Sequence, residues 1–267
     1  MKSRGLLCLL LVTAWLAAAA QCQAQTQPGL QFRDVQVAPG KYRYEVFVPP
    51  RWTAEKKWPV ILFLHGAGHR GSYVGPRDFV LGKLFLSYQH PSEFVIVFPR
   101  CPEGRWWSEP EMAQMALAAL EQTVKEFRGD SQRIYLTGMS MGGYGTWYLA
   151  AHNPGKFAAI APVCAGLKTP GTLPIPPVSE ARDPYADTAR RIGRTPVWMF
   201  HGSSDATIPV EESRRMAAAL RVSGGNVRYT EYEGVGHNAW DRAYAELEFF
   251  RWLRTHRLPA RTPAAPR

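Results

Sequence analysis

The chain has 267 residues, 46% of them hydrophobic and 20% charged, enough apolar material for one large domain with a substantial core and unlike a disordered segment. Its formal charge of +10 includes Arg251, Arg254, Arg257, Arg261 and Arg267, scattered through a C-terminal stretch that carries no nucleic-acid motif, so no nucleic-acid partner is implied. There are 4 cysteines, and no Cys or His has ligand spacing, which argues against a metal site and against a disulfide scaffold.

In chain order, Lys2 and Arg4 precede an apolar run over 5–20, broken only by Thr13 and leading into small residues that end near Ala24. A positive start, an apolar stretch and a small-residue zone form a secretory signal peptide, and this run is short for the ~20 residues that span a bilayer. We therefore expect a leader over 1–24, export to the periplasm or the medium, and no stable membrane anchor. Cleavage after Ala20 is the alternative, and Cys22 admits a lipoprotein start, against which Gln21 stands in the preceding position. Losing the leader removes Lys2, Arg4, Cys8 and, with cleavage after Ala24, Cys22, leaving a charge of +8.

The remaining 25–267 reads as an α/β chain. Hydrophobic runs alternate with longer helical patterns: strands are clearest at 42–48, 60–64, 94–98, 134–137, 157–163, 197–200 and 227–232, and helices fall at about 110–127, 141–152, 210–222 and 239–253. Such alternation argues for βαβ units in a mostly parallel sheet with helices on both faces. The first strands, within 32–48, have no helix between them and alternate in polarity, as an antiparallel edge does. Residues 166–194 are Pro-rich and irregular and suit a small cap or rim, and 255–267 form a basic tail. Cys101 and Cys164 belong at the carboxyl ends of strands that are not neighbours. Two buried thiols and a bridge both remain open.

Gly138-Met139-Ser140-Met141-Gly142 matches G-x-S-x-G between a buried strand and a helix, the setting of a nucleophile elbow. Small residues two positions either side of Ser140 relieve the crowding of so sharp a turn. A serine hydroxyl needs a base, and the base needs a third group to hold it. Asp205 follows a strand directly in His201-Gly202-Ser203-Ser204-Asp205, unlike its rivals Asp183 and Asp187 in the Pro-rich segment. His237 stands between the last strand and the last helix; His152, His201 and His256 have plainer readings as packing or surface residues. The order Ser, Asp, His is that of one hydrolase fold, and it implies acyl transfer through Ser140, His237 and Asp205. Leu64-His65-Gly66-Ala67-Gly68 ends the most hydrophobic strand, so the N–H groups of Met141 and Ala67, with Gly68 as alternate, are the candidate oxyanion donors. His65-Gly66 also reads as a tight strand exit whose imidazole braces the loop.

Together, the run from Leu64 to Gly68 with Arg70-Gly71, Phe98-Pro99-Arg100-Cys101-Pro102, Trp107, Gly-Met-Ser-Met-Gly-Gly and His-Gly-Ser-Ser-Asp-Ala-Thr-Ile-Pro-Val resemble exported α/β-hydrolases of the carboxylesterase and phospholipase-like esterase group. The set is similar, more distantly, to feruloyl and acetylxylan esterases, dienelactone hydrolases and prolyl-oligopeptidase catalytic domains. The resemblance covers about 35–253 and implies the α/β-hydrolase fold, a triad and no cofactor. Two departures bear on substrate and contacts: dienelactone hydrolase proper resembles a cysteine-nucleophile enzyme, where Ser140 stands here, and His69 occupies a place where the resembled group has an acid.

Trp107 and Trp240 are the candidate pocket walls, whereas Trp147, two helical turns past Ser140, reads as core. The expected activity is hydrolysis of a small-molecule or carbohydrate-linked ester. A prolyl-oligopeptidase-type serine peptidase is the rival enzyme, although the propeller of that family has no room here, and a non-catalytic binding protein on the same scaffold is the rival outside enzymes.

Overall fold

The computed structural model describes residues 27–38, 40–71 and 93–259. The expected leader lies outside these residues, as does most of the basic tail. Eight strands form one sheet: β1 (Gly29–Val37), β2 (Gly40–Val48), β3 (Trp58–Leu64), β4 (Val95–Pro99), β5 (Gly129–Met139), β6 (Ala159–Val163), β7 (Val197–Gly202) and β8 (Val227–Tyr232), in the order β1-β2-β4-β3-β5-β6-β7-β8. The strands from β4 to β8 are mutually parallel, while β2 runs antiparallel to both β1 and β4, the antiparallel edge read from polarity alternation.

Burial of both faces explains why β3 has no polar residue. Val60, Leu62 and Leu64 point into one apolar layer and Ile61 and Phe63 into the other, and a side-chain period of two puts successive residues on opposite faces. The first layer is closed by α1 (Pro110–Glu126), α2 (Met141–His152), α3 (Pro184–Ile192) and α4 (Glu211–Val222), the second by α5 (Trp240–Ala245) and α6 (Leu247–Thr255). Among them α2 is buried almost all round, as its apolar composition requires.

Two elements depart from the sequence reading. Residues 166–194 are not wholly irregular, since they contain α3: the Asp183 carboxylate accepts from the N–H groups of Tyr185 and Ala186, Pro184 opens the helix, and Gly193 ends it with φ 61°. The single helix expected over 239–253 is two, because Glu246 takes an extended backbone and its carboxylate accepts from the Tyr232 hydroxyl on β8 at 2.5 Å. That break turns Ala243 and Tyr244 of α5 and Phe249, Phe250 and Leu253 of α6 toward the same layer. Cys101 and Cys164 are both free and buried, at the exits of β4 and β6, with β3 and β5 between those strands.

Candidate active site

Ser140 is the single residue between β5 and α2, with φ 55° and ψ −120°. A residue with a side chain costs about 1–3 kcal/mol in such a conformation, so its surroundings must impose it. They do so through the backbone: Ser140 N–H donates to Val163 O at 2.9 Å, and Ser140 O accepts from the N–H groups of Gly143 and Tyr144 at 2.8 and 3.1 Å. Glycines make the turn possible. A Cβ on Gly138 would lie 2.3 Å from Gly142 O, and one on Gly142 only 1.9 Å from Leu64 O. Gly143 and Gly145 are equally constrained, against Ala165 Cβ at 2.5 Å and Trp107 Cβ at 2.3 Å, which the G-x-S-x-G pattern does not reveal.

The loops after β7 and β8 bring the partners. His237 Nε2 lies 2.9 Å from Ser140 Oγ, and His237 Nδ1 lies 2.7 Å from Asp205 Oδ2. An ionised carboxylate only accepts, so Nδ1 carries the hydrogen and Nε2 is left to accept from the serine hydroxyl. The two loops touch backbone to backbone: a Cβ on Gly202 would lie 2.3 Å from the carbonyl oxygens of both Val235 and Gly236. Ser203 N–H donates to Tyr232 O and Ser204 N–H to Val235 O, while Gly234 N–H donates to Ser203 Oγ. Burial alone would raise the pKa of Asp205. Hydrogen bonds from His201, His237 and the Ile208 N–H outweigh it and hold the carboxyl well below the usual range, so the group is anionic at working pH.

Asp183 and Asp187, the rival acids, have structural tasks. Asp183 caps α3, and Asp187 accepts from Ser179 Oγ and Arg191 Nε, each at 2.8 Å. The Pro-rich segment they belong to is held down by Glu212, whose carboxylate accepts from Leu167 N–H at 2.7 Å and the Tyr185 hydroxyl at 2.6 Å.

Opposite His237 stands the loop after β3. A Cβ on Gly66 would lie 3.7 Å from Ser140 Cβ, which places this loop beside the hydroxyl. Ala67 opens a 3₁₀ turn over Ala67–His69, and Met141 opens α2, where the first N–H groups have no helical partner. Among the described residues, neither amide donates to a backbone carbonyl. His65 braces the loop: its Nε2 accepts from Cys101 N–H at 3.1 Å, its Nδ1 lies 2.8 Å from Gly66 O, and its own carbonyl accepts from Trp107 Nε1 at 2.9 Å. Burial lowers the pKa of His65 to about 3, which keeps the ring neutral, as that pattern of one acceptor and one donor demands. Arg70 donates from Nε to Ala67 O at 3.1 Å and lays its guanidinium 4.0 Å from the centre of the Trp106 ring.

Trp107 corrects an expectation. It is fully buried, with its ring edge-on to His65, and so supports the loop from behind instead of lining a pocket. The physical reason is its indole N–H, which is satisfied by the His65 carbonyl inside the protein. Trp240 is partly exposed and stands at the site, its ring 5.3 Å from that of His237 at 89°. Trp147 is core, as its position two turns past Ser140 implied. Sulfur of Cys164 comes within 4.8 Å of Asp205 and His237. Burial pushes this thiol up, away from the thiolate that metal ligation needs, and Asp205 and His237 are engaged with each other.

Sequence reading missed His201. It is fully buried, with Nε2 3.1 Å from Asp205 Oδ2 and Nδ1 2.7 Å from Ser213 Oγ. The available signal was an imidazole ending an otherwise apolar strand, since a polar ring buried without partners is costly.

A solved structure of a thermostable esterase superposes on this chain with a TM-score of 0.69 and 29% identity, covering 85% of this chain and 63% of that one. An uncharacterized secreted protein of Arthroderma benhamiae is 28% identical over 214 residues, 68% of this chain and 21% of that protein. A bifunctional acetylxylan esterase/xylanase of Neocallimastix patriciarum is 27% identical over 157 residues, 58% of this chain and 20% of that protein. The chain thus spans only about a fifth of the length of these two curated relatives. No helix among the described residues is long and apolar enough to cross a membrane. Residues 100–246, from the exit of β4 to the end of α5, match the model described as the dienelactone hydrolase family, and with Ser140, Asp205 and His237 all inside that segment the chain belongs to this family and has the α/β-hydrolase fold.

Proposed function

We propose that this protein is a serine esterase that cleaves carboxylic esters through an acyl-enzyme. The observation that carries the reading is the unbroken line from Ser140 Oγ through His237 to Asp205, with contacts of 2.9 and 2.7 Å. In this scheme His237 Nε2 takes the hydroxyl proton as Ser140 Oγ attacks the ester carbonyl. Asp205 stabilises the imidazolium, and the N–H groups of Ala67 and Met141 hold the tetrahedral oxyanion. The imidazolium then returns the proton to the leaving alcohol, and water repeats the sequence to release the acid. No metal or cofactor takes part. A fluorophosphonate probe should label the wild type on Ser140 and leave Ser140→Ala unlabelled; labelling elsewhere, or none, would refute the scheme.

Activity should show an acidic limb, because the imidazole must be neutral to accept the serine proton. Asp205 cannot supply that limb. Its lowered pKa means that the stability it contributes is complete above about pH 4 and is lost only as the pH falls through its folded value. His65 behaves differently: neutral when folded down to about pH 3 but charged below about 6.5 when unfolded, it should cost up to about 1.4 kcal/mol of stability per pH unit in that window. Rate profiles and thermal melts at matched pH, with and without a chelator, check both. A requirement for added zinc or calcium would contradict the reading.

As substrates we propose short-chain or aromatic acyl esters, free or carbohydrate-linked. Long acyl chains gain about 0.8 kcal/mol per methylene only where an apolar tunnel receives them. Trp240 beside His237 offers an aromatic wall instead. Trp240→Ala should therefore lower kcat/KM for feruloyl esters more than for acetyl esters, and an equal fall for both would remove Trp240 from substrate contact. Export remains part of the proposal, and amino-terminal sequencing of the mature chain tests it.

A further inference from the structure

The acid of the site is shared by two imidazoles. Asp205 Oδ2 meets His237 Nδ1 at 2.7 Å and His201 Nε2 at 3.1 Å, while Oδ1 accepts from the N–H groups of Thr207 and Ile208 at 2.8 and 2.9 Å. Four donors thus occupy a carboxylate with about four lone-pair positions. The orientation of His201 is decided by its surroundings. Nε2 also lies 3.0 Å from Ile208 O, so both groups facing it are acceptors and the ring hydrogen belongs on Nε2. Nδ1 is then free to accept from Ser213 Oγ on α4 at 2.7 Å. The contacts run from Ser140 through His237, Asp205 and His201 to Ser213, across the loops after β5, β7 and β8 and into α4.

We propose that His201 and Ser213 are positioning residues for this reaction: Ser213 fixes the His201 tautomer, and His201 Nε2–H holds Asp205 Oδ2 against His237 while drawing off part of its charge. This inference rests on the serine-esterase reading, in which His237 is the base. Without the His201 hydrogen, Oδ2 would keep one donor, and the less stabilised carboxylate would hold the proton on His237 more tightly. The acidic limb of the rate profile would then move to higher pH. Other titratable groups facing this array are Cys164 at the exit of β6 and Tyr144 on α2, both kept neutral by burial, and at longer range Glu231 on β8, which is paired with Arg214.

The test compares His201→Phe, His201→Gln and Ser213→Ala with the wild type by kcat/KM against pH on p-nitrophenyl acetate, with thermal melts alongside. His201→Phe should shift the acidic midpoint upward by about 0.5–1 pH unit and lower kcat about 10–100-fold, with KM nearly unchanged. The amide of His201→Gln reaches the place of Nε2–H and should return the midpoint toward the wild-type value. Ser213→Ala should shift it in the same direction as His201→Phe, by less. In the wild type, nitrogen NMR should find His201 as the Nε2–H tautomer, a readout independent of whether any variant folds.

A folded His201→Phe with the wild-type midpoint overturns the proposal, as does an Nδ1–H tautomer of His201. If His201→Phe does not fold, an unshifted profile for Ser213→Ala overturns it as well. Ser140→Ala separates the two readings: an active Ser140→Ala variant defeats the esterase scheme itself, whereas an inactive one beside an unshifted His201→Phe defeats only the roles of His201 and Ser213.

Discussion

Ser140→Ala is expected to abolish ester hydrolysis, by more than about 10⁴-fold in kcat, while its melting temperature stays close to that of the wild type. Among the described residues the hydroxyl's hydrogen-bond partner is His237 Nε2, so the substitution removes a contact that serves the chemistry. Alanine keeps the Cβ, so the unfavourable φ of 55° is neither relieved nor worsened. Turnover of p-nitrophenyl acetate by purified variant and wild type, with circular dichroism melts on the same samples, provides the comparison. Retention of a tenth of wild-type turnover would take Ser140 out of the chemistry.

Gly142→Ala should damage the fold itself, by about 3 kcal/mol or more, or prevent soluble expression. The added methyl would sit 1.9 Å from Leu64 O, 2.5 Å from Leu64 C and 2.9 Å from His65 O. All three are backbone atoms at the end of β3, a central strand paired on both sides, so they cannot swing aside as a side-chain tip could. Because Leu64 and His65 lead into the loop of Ala67, any accommodation would displace that loop too. Gly171→Ala is the matching control, since nothing lies within 4 Å of its added carbon, and it should change stability by less than about 0.5 kcal/mol. Chemical denaturation of both variants measures the contrast, and a Gly142→Ala as stable as Gly171→Ala would show that the elbow can relax.

Much of the architecture was legible because each clue was local. Strands buried on both faces announce themselves as apolar runs, and Ser140 and Asp205 stand at or just past the ends of such strands, while His237 lies between the last strand and the helix that follows it. What escaped depended on contacts between distant segments. Nothing in the neighbourhood of Trp107 says that its indole will reach the His65 carbonyl, 42 residues away, and so be turned inward. The break at Glu246 comes from Tyr232, 14 residues earlier, and no helix-breaking residue marks it. Helix α3 is the opposite case: Asp183-Pro184 at its start and Gly193 at its end were readable signals, outweighed by the prolines before them. His201 reads as packing until Asp205 and Ser213 are placed around it.

The glycines and the serine of the elbow answer to different demands. Gly138, Gly142, Gly143 and Gly145 are required by packing, whatever residue occupies 140. Ser140 is not: glycine there would adopt φ 55° without penalty, and stability alone favours the exchange. Under selection for stability without any demand for activity, a drifting lineage of this sequence would lose its serine early and keep the four glycines around it. The turn would outlive its purpose, and a descendant could carry an intact elbow around an inert centre.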